Sequence, residues 1–437
     1  MTSKNYYPRK IDGELSSWAK SDNHKPLLLR GARQVGKSSA VRHLAEQFKY
    51  FIEINLERNQ LAKNLFRDNL DVKQICEELT NAFNIPVVAG ETLIFIDEIQ
   101  ESGNAIRSLR YFYEDMPNVH VIAAGSLLEF TLAELPSFGV GRIRSMFMYP
   151  FSFYEFLGVV GSSRLQNLIS SKKDYEPLSD LVHEQLLQHY RTFLLTGGMP
   201  EVVATWADTH KFSACSAVQN DIMLNYQVDF AKYKSRISPL LLQQTLLSVA
   251  RQAGQKFVFS EVSADIPKVK EALSLLTMAG LIVPATHSAA NGLPLGAQLN
   301  EKFRKFVLID TGLMLNLLGL SMESLVLLPS SDLANKGSLA EVYVGTELLK
   351  SQSPYIQAGL YYWLNLKKGG QAEIDYLIQK DDRLIPVEVK SGKQGSMKSL
   401  YYFLGLKQLP FGIRTSIENY GSLEHVRIVP LYSIGCL

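Results

Sequence analysis

Gly31-Ala-Arg-Gln-Val-Gly36-Lys37-Ser38 follows a short apolar run, Pro26-Leu-Leu-Leu29, and sixty positions beyond the lysine the chain reads Leu93-Ile-Phe-Ile-Asp97-Glu98. The first string has the G-x-x-x-x-G-K-[ST] spacing of a phosphate-cradling loop. The run before it has strand length. After it, Val41, Leu44 and Phe48 recur at helical spacing, so the local order is strand, glycine loop, helix. Glycines let such a loop turn its N–H groups inward, and the helix N-terminus adds partial positive charge. Gly31, Ala32, Arg33, Gln34, Val35, Gly36, Lys37, Ser38 and Ser39 are therefore the candidate nucleotide loop. Lys37 is expected to reach the β- and γ-phosphates, and the Ser38 hydroxyl to ligate Mg²⁺.

The second string is a buried strand ending in two carboxylates. An Asp at the tip of a strand beside such a loop can hold Mg²⁺, directly or through water, which makes Asp97 the second metal candidate. The neighbouring Glu98 points elsewhere and can act as general base on the attacking water. A pair of acids here favours hydrolysis over simple nucleotide binding. A third strand is expected at Val119-His-Val-Ile-Ala-Ala-Gly125-Ser126. Ser126 at its tip is placed to sense the γ-phosphate, although a Gly-Ser turn closing a strand reads the same way. Arg142 and Arg144 follow; either can serve as a finger on developing phosphate charge, or simply as a solvated surface charge.

At 437 residues, with 46% hydrophobic and 20% charged positions, the chain has room for two to four domains and ample core. A net charge of +2 excludes a globally basic nucleic-acid binder, so any such surface must be local. Cys76, Cys215 and Cys436 are scattered, with no C-x-x-C, which suits a reducing cytoplasm and argues against disulfides or zinc. No apolar stretch reaches the ~18 residues of a membrane span, and the N-terminus lacks a signal-peptide pattern.

Alternating strands (27–29, 51–54, 93–97 and 119–124) and helical patterns predict a parallel sheet over residues 1–149, with a helical lead-in before it. From Pro150 to about 237 helical periodicity dominates, as in Val182–Leu195, which Thr196-Gly-Gly-Met-Pro200 breaks; this reads as a helical lid. Residues 238–315 run helix (Pro239–Ala253), helix (Ile266–Ala279), then strands over 281–287 and 297–310, the pattern of a winged helix. Lys268 and Lys270 decorate its second helix, and Lys302, Arg304 and Lys305 flank the wing. Such residues can contact DNA phosphates, while winged helices also serve as protein-interaction modules.

Residues 316–437 hold a second constellation. Ala372-Glu-Ile-Asp375-Tyr-Leu-Ile378 alternates as a half-buried strand does, and after the Asp381-Asp382 turn comes Leu384-Ile-Pro-Val-Glu388-Val-Lys390. Glu388 and Lys390, two apart, share a face, and Asp375 can meet Glu388 across the pair. Two carboxylates can bind a divalent metal while the ammonium orients the attacking water, the D…E-x-K arrangement of metal-dependent nucleases. Glu341, on a preceding helix expected to be amphipathic, can supply a third carboxylate.

With both sites assembled, the chain resembles the bacterial and archaeal AAA-type ATPases that carry a winged helix and a C-terminal domain of unknown function with a restriction-endonuclease-like fold. Leu28-Leu-Arg-Gly-Ala-Arg-Gln-Val-Gly-Lys-Ser, Ile94-Phe-Ile-Asp-Glu-Ile-Gln, Ala124-Gly-Ser, Gly141-Arg142, Pro150-Phe-Ser-Phe-Tyr-Glu-Phe, Gly197-Gly-Met-Pro-Glu, Leu308-Ile-Asp-Thr-Gly-Leu and Glu-Ile-Asp…Val-Glu-Val-Lys carry the likeness. It implies an α/β fold: a P-loop NTPase parallel sheet (1–149), a helical lid (150–237), a winged helix (238–315) and a PD-(D/E)xK-type α/β domain (316–437). It further implies nucleotide and Mg²⁺ at Gly36, Lys37 and Ser38, hydrolysis at Asp97 and Glu98, a sensor at Ser126 and a finger at Arg142. The expected ligands are ATP, ADP and Mg²⁺, with room for a second divalent metal at a nuclease-like site in which Glu341, Asp375 and Glu388 offer carboxylates and Lys390 acts on the attacking water. DNA is the expected partner, with a partner protein or further copies of the chain as alternatives and no membrane. A nucleotide-gated protein switch with a silent nuclease-like fold is the competing expectation.

Overall fold

The computed structural model describes residues 6–66, 70–126, 128–134, 141–231, 237–320, 322–326, 337–367, 370, 372–392 and 396–437. Contacts divide the chain into two units, one of Met1–Tyr149 with Met278–Gly280 and Ser353–Gln357, the other of everything else.

The first unit is built on five parallel strands, β1 (Leu27–Arg30), β2 (Tyr50–Asn55), β3 (Thr92–Asp97), β4 (His120–Ala124) and β5 (Arg144–Phe147), in the order β2-β3-β4-β1-β5. The central strands β3 and β4 are buried at every residue, as unbroken apolar runs in a parallel sheet require. The outer strands are not: β2 alternates, and in β5 only Met146 is fully buried. That is why β5 escaped a reading based on hydrophobic runs. Leu28, Ile52, Ile94, Ile96 and Val121 pack against Ile75 and Leu79 of the helix Val72–Phe83 and against Ile106, Leu109 and Phe112 of Gly103–Asp115. Each such side chain contributes about 1.5–3 kcal/mol by leaving water. Side-chain caps fix where both helices start: Asp71 accepts from the Lys73 and Gln74 amides, and Ser102 from that of Ala105.

The second unit opens with the helices Phe153–Val159, Ser163–Ser171, Asp180–Thr196, Pro200–Thr209 and Phe212–Phe230, followed by Pro239–Arg251 and all but the last residue of Ile266–Met278. Its break at Gly197-Gly198 has a tertiary cause. Asp310, fully buried, accepts from the Gly198 amide at 2.6 Å and from the Leu313 amide at 2.9 Å. A Cβ on Gly197 (φ +70°) would lie 2.1 Å from the same carboxylate, and one on Gly198 would lie 2.1 Å from the Phe151 carbonyl oxygen. Three stretches far apart in the chain thus meet at one junction.

The remaining strands are β6 (Ile282–Ser288), β7 (Leu299–Leu308), β8 (Leu360–Leu364), β9 (Glu373–Lys380), β10 (Arg383–Val389), β11 (Gly412–Ser416), β12 (Gly421–Leu423) and β13 (Val426–Pro430). Among the described residues they form a single sheet, ordered β12-β13-β11-β10-β9-β8-β6-β7. The two helices and the antiparallel β6–β7 hairpin stand where the sequence places them, but the hairpin is no free wing. β6 pairs in parallel with β8, which makes β7 the outer edge of the sheet that carries the C-terminal acids. The helix Gly337–Ser351, expected to be amphipathic, is buried on nearly every side because it packs on β7, β8, β10 and the terminal turn Leu431–Cys436. No helix among the described residues is long and apolar enough to cross a membrane.

Candidate functional site: a glycine loop and strand-end acids

The loop begins where β1 ends. Gly31 has φ +143°, and a Cβ there would lie 2.1 Å from the Met148 carbonyl oxygen, because the chain after β5 returns to donate the Met148 amide to the Arg30 carbonyl (2.8 Å). Only glycine fits. Gln34 (φ +64°) and Gly36 (φ +96°) are also left-handed, which curls the intervening amides into a concave nest. The helix Lys37–Ala45 starts at Gly36 with no side chain among the described residues capping its first amides, leaving those donors and the helix dipole for an anion. Behind the loop, Arg9 donates to the carbonyls of Val35 (3.3 Å) and Tyr149 (2.8 Å). Nothing in the sequence marked this brace, since its partners lie up to 140 positions away.

Lys37 is buried, and its ammonium donates to the carbonyls of Gly31 and Ala32, both at 2.8 Å. Burial pushes its pKa down to about 8, with Glu98 and Asp97 opposing the shift and Arg33 adding to it. Ser38 Oγ donates to Asp97 Oδ2 at 3.0 Å, and burial together with neighbouring Glu98 pushes the Asp97 carboxyl up. The loop helix and the tip of β3 therefore meet through a hydroxyl and a carboxylate, a hard oxygen pair suited to Mg²⁺. The donor set and the glycine cradle both fit a metal-bound triphosphate.

Glu98 turns away from Asp97 because its own backbone is left-handed (φ +51°). Its Oε2 accepts from Gln100 Nε2 at 2.6 Å and contacts the Ser126 hydroxyl at 3.4 Å and the Ser126 amide at 3.5 Å. Ser126 and Glu98 are thus brought together, with Gln100 as a partner the sequence reading missed. The signal available was its place two residues after Glu98. A Cβ on Gly125 would lie 2.0 Å from Gln100 Oε1, so the Gly-Ser turn also makes room for this amide. Arg142 engages Glu114 (3.2 Å) with its side chain about half exposed, and the Arg144 guanidinium lies over the Tyr355 ring, 5.5 Å from its centre.

In the second unit, the pairing of Val387 with Tyr376 sets Glu388 opposite Asp375. Asp375 Oδ2 accepts from the Val389 amide (2.7 Å), and Glu388 Oε1 accepts from Lys390 (2.6 Å). Glu341, Glu373 and Asp375 each bring an oxygen within 4.8 Å of the others. Lys305, expected to face phosphates beside the wing, is instead buried here: it donates to Glu341 Oε1 at 2.7 Å and pairs with Glu373. Its position on β7 explains the difference, since the parallel β6–β8 pairing carries the hairpin up against the helix of Glu341. Burial alone would push Lys305 down, but Glu341, Asp375 and Glu373 outweigh it and hold the ammonium above its usual range. Burial raises the carboxyls of Glu341, Asp375 and Glu388 in turn. The Glu341, Asp375 and Glu388 carboxyls are thus held above the ordinary carboxylate range, while the Lys305 ammonium stays charged.

Comparison with known proteins follows the two units. Residues 23–157 match the family described as AAA domain, residues 187–324 a domain of unknown function (DUF8612), and residues 336–434 another (DUF4143). No curated protein matches the sequence. Among solved structures, the Walker-type ATPase PABY2304 of Pyrococcus abyssi aligns at 16% identity over 72% of this chain and 97% of its own, with a TM-score of 0.48. Unliganded Pif1 from Bacteroides sp. aligns at 17% identity over 39% of this chain and 50% of its own (TM-score 0.23). PCH-2 of C. elegans aligns at 13% identity over 62% and 66% (TM-score 0.24). The AAA match over residues 23–157 falls on the parallel sheet, glycine loop and strand-end acids described above, and it supports reading this part of the chain as a P-loop ATPase domain.

Proposed function

We propose that the protein hydrolyses ATP with Mg²⁺ and couples the nucleotide state to DNA engagement by the second unit. The observation that carries the catalytic half is the convergence of Ser38 and Asp97 at 3.0 Å beside a buried Lys37, with Glu98 held one residue further on by Gln100. In this reading the loop amides and Lys37 bind the phosphates, Ser38 and Asp97 hold the metal, and Glu98 deprotonates the attacking water. When bound, Mg²⁺ would neutralise phosphate charge. Ser126, against the same carboxylate, reports loss of the γ-phosphate, and Arg142 supplies finger charge once released from Glu114. The DNA half draws support from the Asp375–Glu388 cross-strand pair with Lys390, and from the exposed Lys268, Lys270 and Lys302.

ATPase assays with and without single-stranded, duplex and branched DNA test both halves. Glu98→Gln should keep nucleotide binding and lose hydrolysis by ~10²-fold or more, the usual scale for a missing general base. DNA should raise the wild-type rate, and its binding should weaken steeply with salt. An active ATPase with flat or absent DNA binding would favour the second reading, a nucleotide-gated protein switch. That reading has its own support: Lys305 already neutralises part of the acid cluster that a nuclease would need for metal.

A further inference from the structure

We propose that the Lys305 ammonium is a built-in stand-in for a divalent cation: Glu341, Glu373 and Asp375 form a Mg²⁺ or Mn²⁺ site that the chain fills with its own lysine until that side chain is withdrawn. This rests on the reading of the C-terminal acids as a metal site, and adds to it Glu373 and the residue that controls access.

The geometry has cation dimensions. Oxygens each ~2.0–2.5 Å from a common ion stand up to ~4–5 Å apart, and the three carboxylates offer oxygens within 4.8 Å of one another. The lysine nitrogen lies against two of them, and only 4% of its side chain is exposed. A second feature points to a larger charge than one ammonium provides. Glu388, buried and directly across from Asp375, gives one oxygen to Lys390 and leaves Oε2 without a hydrogen-bond partner among the described residues. Such an orphan acceptor is costly beside the single charges of Lys305 and Lys390. A divalent ion doubles the local charge and takes six or more oxygens, which would give that atom a role.

Withdrawal is mechanically simple. Lys305 lies on β7, the outermost strand, whose only strand partner among the described residues is β6, and that pairing already shifts register between Thr286 and His287. Its four-carbon stem lets the ammonium leave by rotation about single bonds. The site thus has two mutually exclusive occupants, and anything that pulls on β7 exchanges one for the other.

Mn²⁺ titration of nucleotide-free, full-length protein, followed by the electron-spin resonance of free Mn²⁺, tests this directly. Lys305→Met should bind about one Mn²⁺ at least ~10-fold more tightly than wild type, and adding Asp375→Asn should abolish the gain. In wild type, raising Mn²⁺ should increase reductive methylation of Lys305 relative to exposed Lys302, read by peptide mass spectrometry. If Lys305→Met does not fold, the methylation measurement alone decides. Equal Mn²⁺ affinity in wild type and variant would overturn the lysine's role while leaving the metal site standing. Absence of Mn²⁺ binding in both would overturn the metal site, and the proposal with it. A Lys305 reactivity indifferent to Mn²⁺ would also overturn it. Neither readout involves ATP or DNA, so failure here leaves the ATPase reading untouched.

Discussion

Replacing Lys37 by methionine should separate stability from function in a pH-dependent way. The ammonium is fully buried, and its pKa falls from 10.5 to about 8. Below pH 8 the folded protein therefore carries a charge that burial disfavours. A shift of that size corresponds to about 3 kcal/mol at pH 7, at ~1.4 kcal/mol per unit. Between pH 8 and 10.5 the folded state binds fewer protons than the unfolded chain, so wild-type stability rises with pH in that window. By pH 9.5 the penalty has shrunk to about 1 kcal/mol. The Lys37→Met variant has no such penalty, although it gives up the donor bonds to the Gly31 and Ala32 carbonyls, each worth about 1 kcal/mol net. The nucleotide-free variant should match or exceed wild type at pH 7, then lose about 2 kcal/mol relative to it at pH 9.5, a shift of roughly 1 M in urea midpoint. Cys76 provides the assay. It is buried in the first unit, so its labelling in urea, read by peptide mass spectrometry, follows that unit alone, while Cys215 reports on the second. A stability difference unchanged between pH 7 and 9.5 would refute the desolvated-lysine argument.

Three further outcomes follow from the same site. Gly31→Ala should abolish nucleotide binding or destabilise the first unit by about 3 kcal/mol or more, since it combines φ strain with a Cβ 2.1 Å from the Met148 oxygen; Cys76 labelling and a fluorescent ATP analogue would show which. Ser38→Ala should weaken ATP binding by about tenfold or more with Mg²⁺ present, and leave it near wild type in EDTA, as fluorescence titration would show. ATP affinity should fall as pH rises above about 8, because bound phosphates keep Lys37 protonated and the free site does not. Calorimetry in buffers of different ionisation enthalpy should then find proton uptake approaching one per site at pH 9 and close to zero at pH 6.5, whereas Lys37→Met should show uptake close to zero at both.

What can be read along the chain is the part whose physics is local. Gly31 to Ser38 specify a turn by backbone freedom, the apolar runs of β1, β3 and β4 specify buried parallel strands, and Glu388-x-Lys390 specifies a shared face by strand parity, which the register of β9 and β10 then sets against Asp375. Folding alone settles what depends on partners distant in the chain. β5 was hidden because an edge strand need bury only one side chain, and the brace from Arg9 because its acceptors belong to other elements. Lys305 is the sharpest case. From its neighbours it reads as an exposed cation, yet Glu341 lies 36 positions away and arrives only when β6 pairs with β8. A charge takes its meaning from what surrounds it within a few ångströms, and for this residue that neighbourhood exists only in the folded sheet.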